Sequence, residues 1–304
     1  MHAPSVFPRI IFLAFCVAVI AASAYAETPD KRDAHGGKAA DKQAGPYTLF
    51  NPTPDDKLRP MSTERPSRTD SALTLDPGRV QVEVNLLGYG YDRDRSGQDT
   101  KLNQLYLGGS TNIRVGLTEN SDFQFMFDAY RDLTLRDFDA GTKDTRRGFG
   151  DLNLRYKYSF WGNHGESTAL AIVPFIKLPT NSDNLANDDL EGGIELPFSI
   201  TLKDGYSLGG QTMVSVLKDA DDRGYSPAFT NALVLGKNIT DTVSVYGEFF
   251  TLRTSDEVAA WYNTVDFGVV KILDDRWRID AGVNIGVSDR AEDMNLFVGT
   301  AYRF

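Results

Sequence analysis

From Arg79 to Phe304 the chain changes character at nearly every step, an apolar residue followed by a polar one. This period of two constrains the fold more than any other property of the sequence. In Met294–Phe304, residues Leu296, Val298, Thr300, Tyr302 and Phe304 fall on one face, and Asn295, Phe297, Gly299, Ala301 and Arg303 on the other. Successive side chains of a strand point to opposite faces, so such a stretch is a strand with one apolar and one polar side. About twelve stretches of this kind follow one another. Val80, Val82, Val84 and Leu86 oppose Gln81, Glu83 and Asn85, and Phe123, Phe125 and Phe127 oppose Asp122, Gln124 and Asp128. Leu152, Leu154, Tyr156, Tyr158 and Phe160 oppose Asp151, Asn153, Arg155 and Lys157. Trp277, Ile279, Ala281, Val283, Ile285 and Val287 oppose Arg278, Asp280, Gly282 and Asn284. The stretch at 168–179 is less regular, setting Leu170, Ile172 and Ile176 against Phe175 and Lys177, and the eighth, 228–239, does not declare its faces.

The fold class that follows is all-β: an antiparallel up-and-down transmembrane β-barrel of about twelve strands. Past the first 26 residues no apolar run approaches the roughly 20 residues that a spanning helix needs. A barrel strand needs an apolar residue only at every second position, with lipid on one side and a polar lumen on the other. Turns after even-numbered strands are short, as at 119–121, 203–205, 240–242 and 274–276. Those after odd-numbered strands, at 92–101, 136–147 and 180–191, are longer and more charged. Short turns face the periplasm and long loops face outward in such barrels. Phe160, Trp161, Trp277, Tyr302 and Phe304 gather at the short-turn rim, and Tyr91, Tyr130, Tyr225 and Trp261 at the other. A soluble sandwich or an eight-stranded lipocalin-like barrel would also alternate. The leader, the terminal aromatic, the aromatic rims and the number of strands weigh against it.

The leader is the run Ile10 to Ile20 behind Arg9, ending in Ala24-Tyr25-Ala26, and reads as a signal peptide over 1–26. Cys16 lies inside that run behind the bulky Phe15, unlike a lipoprotein site, so the mature chain has no cysteine for a disulfide or a thiolate metal site. Residues 27–45 read as a disordered periplasmic tail. Residues 46–78, with Asn51-Pro-Thr-Pro54 and Arg59-Pro60, are too rich in proline for a central strand. They form either a plain linker or an extended segment packed in the barrel as a plug. Residues 79–304 form the barrel. The net charge of −10, with no basic patch, argues against nucleic acid.

The ending, a final Phe304 with Tyr302 before it, resembles the C-terminal signal that the barrel-insertion machinery reads in bacterial outer-membrane proteins. Leu49-Phe-Asn-Pro-Thr-Pro54, Met61-Ser-Thr-Glu-Arg-Pro66 and Ser71-Ala-Leu-Thr-Leu-Asp-Pro-Gly-Arg-Val-Gln-Val-Glu83 resemble the opening region of the meta-pathway phenol-degradation family of outer-membrane barrels. Gly150–Tyr158, Ala169–Pro179 and Glu195–Ser199 resemble its middle. Glu64 stands where that family usually carries Asp, and the chain before Pro46 matches nothing in it. The resemblance implies a barrel of a Gram-negative outer membrane that moves small hydrophobic or aromatic compounds inward. Its partners would be outer-membrane lipid and lipopolysaccharide, the insertion machinery and the solute.

The candidate lumen residues are the inward charges and rings: Glu83, Arg114, Asp128, Asp151, Arg155, Lys157, Lys177, Glu195, Tyr246, Glu248, Asp266 and Asp280. Transport is expected to depend on Arg155, Lys157 and Glu195, with Tyr106, Tyr246 and Phe297 as surfaces for a ring. Eight-stranded barrels are filled by their own side chains and those of 16 to 18 strands hold open channels, so about twelve strands should leave a narrow passage. No catalytic, metal or cofactor site is expected. An outer-membrane hydrolase would need a Ser activated by a His, and His164 near Ser167 reads as a turn residue, with His35 in the tail. Three readings stand: a selective channel, a plugged structural or surface-interaction barrel, and a hydrolase.

Overall fold

A computed structural model describes residues 46–94, 99–219, 224–255 and 259–304. The signal peptide expected over 1–26 and the tail expected over 27–45 lie outside the described residues. The alternation becomes strands β1 (Val80–Asp94), β2 (Thr100–Thr118), β3 (Ser121–Phe127), β4 (Tyr130–Asp137), β5 (Thr142–Gly148), β6 (Leu152–Trp161) and β7 (Thr168–Leu178). After these come β8 (Glu191–Thr201), β9 (Tyr206–Lys218), β10 (Tyr225–Asn238), β11 (Val243–Thr254), β12 (Trp261–Ile272), β13 (Trp277–Gly286) and β14 (Met294–Arg303). Each pairs antiparallel with its neighbour, and β1 pairs with both β2 and β14, which closes the ring. β4 and β5 prolong β3 and β6 past short breaks, so the wall is a closed barrel of 12 strands.

The faces run opposite to those of a soluble barrel. Phe267 is 49% exposed on the outside, whereas the neighbouring Asp266 is 0% exposed on the inside. The same inversion separates Tyr156 from Arg155 and Leu196 from Glu195, as expected where lipid bathes the outer face and the lumen is polar.

The wall kinks at one level on three adjacent strands. Gly108 takes φ +64° within β2, and a Cβ there would come within 3.0 Å of the Ala129 Cβ, so the close approach needs glycine. Ala129 N donates to Gly108 O (2.9 Å), Gly150 N to Asp128 O (3.0 Å) and Ser110 N to Asp128 Oδ1 (2.7 Å). These bonds bridge the gap between β3 and β4 and that between β5 and β6. Past the kink, β4 and β5 stay paired as far as Asp137 and Thr142, so the loop expected at 136–147 is only a turn. In β1 the register shifts between Asn85 and Leu87, and the outer face passes to Leu87 and Tyr89.

The undeclared eighth stretch is β10. Ala228, Thr230 and Ala232 are buried inside, and Phe229, Leu233 and Leu235 are exposed outside. Small apolar residues on the lumen side, with Asn231 on the outer face, blur the alternation there.

Candidate functional site: a strapped lumen

Residues 59–76 cross the barrel interior in extended form, held by polar groups from around the wall. Proline at 60 and 66 keeps the segment out of any ladder, so its backbone N–H and C=O groups turn to wall side chains instead. At the short-turn end Asp76 accepts from Arg59 (2.7 Å) and pairs with Arg303 of β14 (3.2 Å), while Arg303 also donates to Arg59 O (2.8 Å). Asn163 accepts from Thr74 N (3.1 Å) and donates to Thr74 Oγ1 (2.9 Å) and Glu119 O (3.0 Å).

At the next level Glu64 pairs with Lys157 (2.6 Å) and Arg114 (3.0 Å), and Arg114 also pairs with Asp122 (2.7 Å) and Glu83 (3.4 Å). Strap backbone completes this buried cluster. Glu64 N donates to Glu83 (2.8 Å), Leu75 N to Asp122 (2.9 Å) and Arg114 to Leu73 O (3.1 Å). Burying so many charges is tolerable only because each is paired and hydrogen-bonded. Ala72 meets Ala169 and Ala171 of β7 in a small apolar contact.

Above it, Arg65 forms a fork with Asp280 (3.1 and 2.7 Å) and donates to Asn85 (2.9 Å), and its guanidinium lies 5.7 Å from the Phe297 ring centre. Glu248 accepts from the backbone N–H groups of Arg68 and Thr69, both at 2.8 Å. Arg68 pairs with Asp266 (3.4 Å) and stacks over Phe250. Asp70 N donates to Gln211, while its carboxylate meets Arg155, which also pairs with Glu195 (3.0 Å).

The strap separates two cavities. One, of about 530 Å³, lies on the long-loop side and is lined by Glu83, Asp128, Arg155 and Glu195, by Tyr106, Phe175, Phe250 and Phe297, and by Met126 and Met213. The other, of about 200 Å³, lies at the short-turn end between Arg59–Asp76 and the 162–167 turn.

The structure thus divides the candidate residues. Glu83, Asp128, Arg155 and Glu195 line the larger cavity; Arg114 and Lys157 lie behind it in the buried ion cluster. Glu248, Asp266 and Asp280 hold the strap, as does Tyr246, whose hydroxyl donates to Pro66 O (3.3 Å). Lys177 and Asp151 sit apart near the long loops, where Lys177 bridges Asp151 (3.1 Å) and Glu191 (3.0 Å). Of the residues on which transport was expected to depend, Lys157 pairs with Glu64 in the buried cluster, and of the expected ring surfaces, Tyr246 bonds the strap through its hydroxyl. The wall partners were readable from alternation, but the strap residues Glu64, Arg65, Arg68 and Asp70 were not. Their signal is the clustering of opposite charges in a proline-rich segment that forms no strand.

Outside the lumen, Tyr302 meets Trp277 edge to face at 6.4 Å, and Phe304 is exposed. His164 is an exposed turn residue whose N–H donates to Glu166 (2.9 Å). At the strap's base, burial works to raise the Asp55 carboxyl pKa, but the Arg79 and Arg276 guanidinium groups outweigh it and hold the carboxyl below its ordinary value.

An outer membrane channel from Pseudomonas putida F1 has a similar fold, with a TM-score of 0.55 at 13% identity over 74% of this chain and 95% of that one. The NanC porin aligns at a TM-score of 0.46 and 7% identity, over 73% and 98% of the two chains. A search of curated proteins finds no match. Residues 63–304 match a family described as the putative MetA-pathway of phenol degradation. That match spans the whole barrel wall and much of the strap, and the chain belongs to this family.

Proposed function

We propose that the protein is a channel of a Gram-negative outer membrane that admits small neutral hydrophobic or aromatic solutes, with residues 46–78 as a partial plug. The observation that carries this reading is the cavity of about 530 Å³, lined by rings, thioethers and mixed charge, five carboxylates against three guanidinium groups, and floored by a strap held at that level by ion pairs, hydrogen bonds and the stacking of Arg65 and Arg68 on Phe297 and Phe250. Mixed lumenal charge gives no strong preference for either sign of ion, and the rings give an apolar solute surface to pack on. The family description, phenol degradation, fits an aromatic cargo. Export by the leader, recognition of Tyr302 and Phe304 by the insertion machinery, and contact of the outer rim with lipopolysaccharide belong to the same reading.

Reconstitution tests it. Removing residues 27–78 should raise single-channel conductance while the barrel stays folded, and the full chain should pass a neutral aromatic into liposomes. The ion-paired strap favours a second reading, a permanently plugged structural barrel. Absence of aromatic flux through the full chain, with conductance appearing only after the deletion, would establish that reading instead.

A further inference from the structure

We propose that the wall patch formed by Phe175, Glu195, Met213 and Thr230 is a binding subsite for an aromatic ring that carries a hydrogen-bond donor, a hydroxyl or an amine. The proposal rests on the channel reading above for its physiological meaning, but its binding test does not depend on transport.

These side chains adjoin one another through the ladder. Glu195 of β8 is opposite Met213 of β9, Met213 is opposite Thr230 of β10, and Phe175 of β7 is opposite Gly193. Gly193 lets the ring lie against the wall, since a Cβ there would stand 3.0 Å from Phe175 Cε1. Phe175 and Met213 are half-buried and line the large cavity, so their remaining surface faces the lumen.

Beside this apolar surface are polar atoms without a partner. Glu195 is 4% exposed and Thr230 1% exposed, yet Glu195 Oε1 and Thr230 Oγ1 make no hydrogen bond among the described residues. Buried polar atoms of this kind are normally satisfied. The other Glu195 oxygen is held by Arg155, which fixes the carboxylate and leaves Oε1 unpaired just beneath the lining, to be reached by a small shift of the half-buried Phe175 or Met213 side chain. Water alone would satisfy these atoms but leave Phe175 and Met213 wetted. A ring with one donor satisfies both, its face on the phenyl and thioether groups and its O–H or N–H on Glu195 Oε1. A carboxylated ring is disfavoured, because Asp70 and Glu195 already share the Arg155 guanidinium and a third carboxylate there would be repelled.

The test is binding to the full-length protein in detergent, by calorimetry or ligand-observed NMR, of phenol, aniline, toluene and benzoate. Phenol and aniline should bind. Toluene should bind about ten- to a hundredfold more weakly, the usual worth of a hydrogen bond to a charged group, and benzoate not measurably. Glu195→Gln should weaken phenol more than toluene, Thr230→Val should do so by less, and Asn231→Leu on the outer face should leave all four ligands unchanged. Equal affinity for toluene or benzoate, no phenol binding, or unaltered selectivity in the two lumen variants would overturn the subsite. If Glu195→Gln fails to assemble, the ligand series and the near-isosteric Thr230→Val decide. Selective binding without flux would sink the channel reading and spare the subsite; flux without selective binding would do the reverse.

Discussion

Arg65 of the strap meets Asp280 of β13 in a two-bonded fork, Nε to Oδ2 at 3.1 Å and Nη2 to Oδ1 at 2.7 Å. Removing one partner leaves the other charge buried and alone, a loss of about 3 to 5 kcal/mol. Arg65→Ala and Asp280→Ala should each lower the denaturation midpoint, followed by gel heat-modifiability. The double variant should lose clearly less than the sum of the two. Strict additivity would show that the fork is not energetically coupled.

A charge on the outer face should be worse than the same charge one residue away in the lumen. Val283 faces outward between Phe267 and Leu296, while Asn284 lines the large cavity. A lipid-facing Arg near mid-membrane costs about 2 to 4 kcal/mol, so Val283→Arg should destabilise by more than Asn284→Arg. The comparison is made on unfolding midpoints in lipid vesicles, and the reverse order would contradict the register of β13.

Asn231 is a polar side chain on the lipid side of β10. Replacing it with Leu should stabilise the barrel by roughly 1 to 2 kcal/mol, through apolar surface placed in lipid. A destabilised Asn231→Leu would mean that the amide has a partner of its own at that face.

Asp55 gives the strap's base a pH dependence. Its carboxyl is held below the ordinary value of 3.8 by Arg79 and Arg276. A lowered carboxyl contributes stability that is present above the unfolded value and lost as pH falls through the folded one. Cleavage of the 46–58 segment by pepsin, which works in acid, should therefore rise in the wild type as pH drops below about 4. In Asp55→Asn it should already be high at pH 5 and change little from there.

The wall was legible because membrane and lumen impose opposite chemistry on alternate residues, which is why Arg155 and Tyr156 could be assigned to opposite faces from the alternation alone. Legibility failed where that contrast weakens. β10 carries Ala and Thr inside and Asn231 outside, so neither face stands out. The extension of β4 and β5 was hidden because β5 carries no apolar side chain on either face, and in β4 Leu133 and Leu135 share a face with Arg131 and Asp137. The strap was recognised as extended and proline-rich, but its partners were not readable. Glu64 meets Lys157 and Arg65 meets Asp280 across 93 and 215 positions of sequence, and no local period encodes a contact of that separation.

Arg303 gives the strap a place in the order of assembly. It lies on β14, whose pairing with β1 turns an open sheet into a ring, and its guanidinium bonds both Arg59 O and Asp76. Until that seam zips, the strap's base lacks one of its clasps; once it zips, Arg303 stands within reach of both its partners. Closing the wall therefore also completes the fastening at the strap's base, which an open sheet lacks.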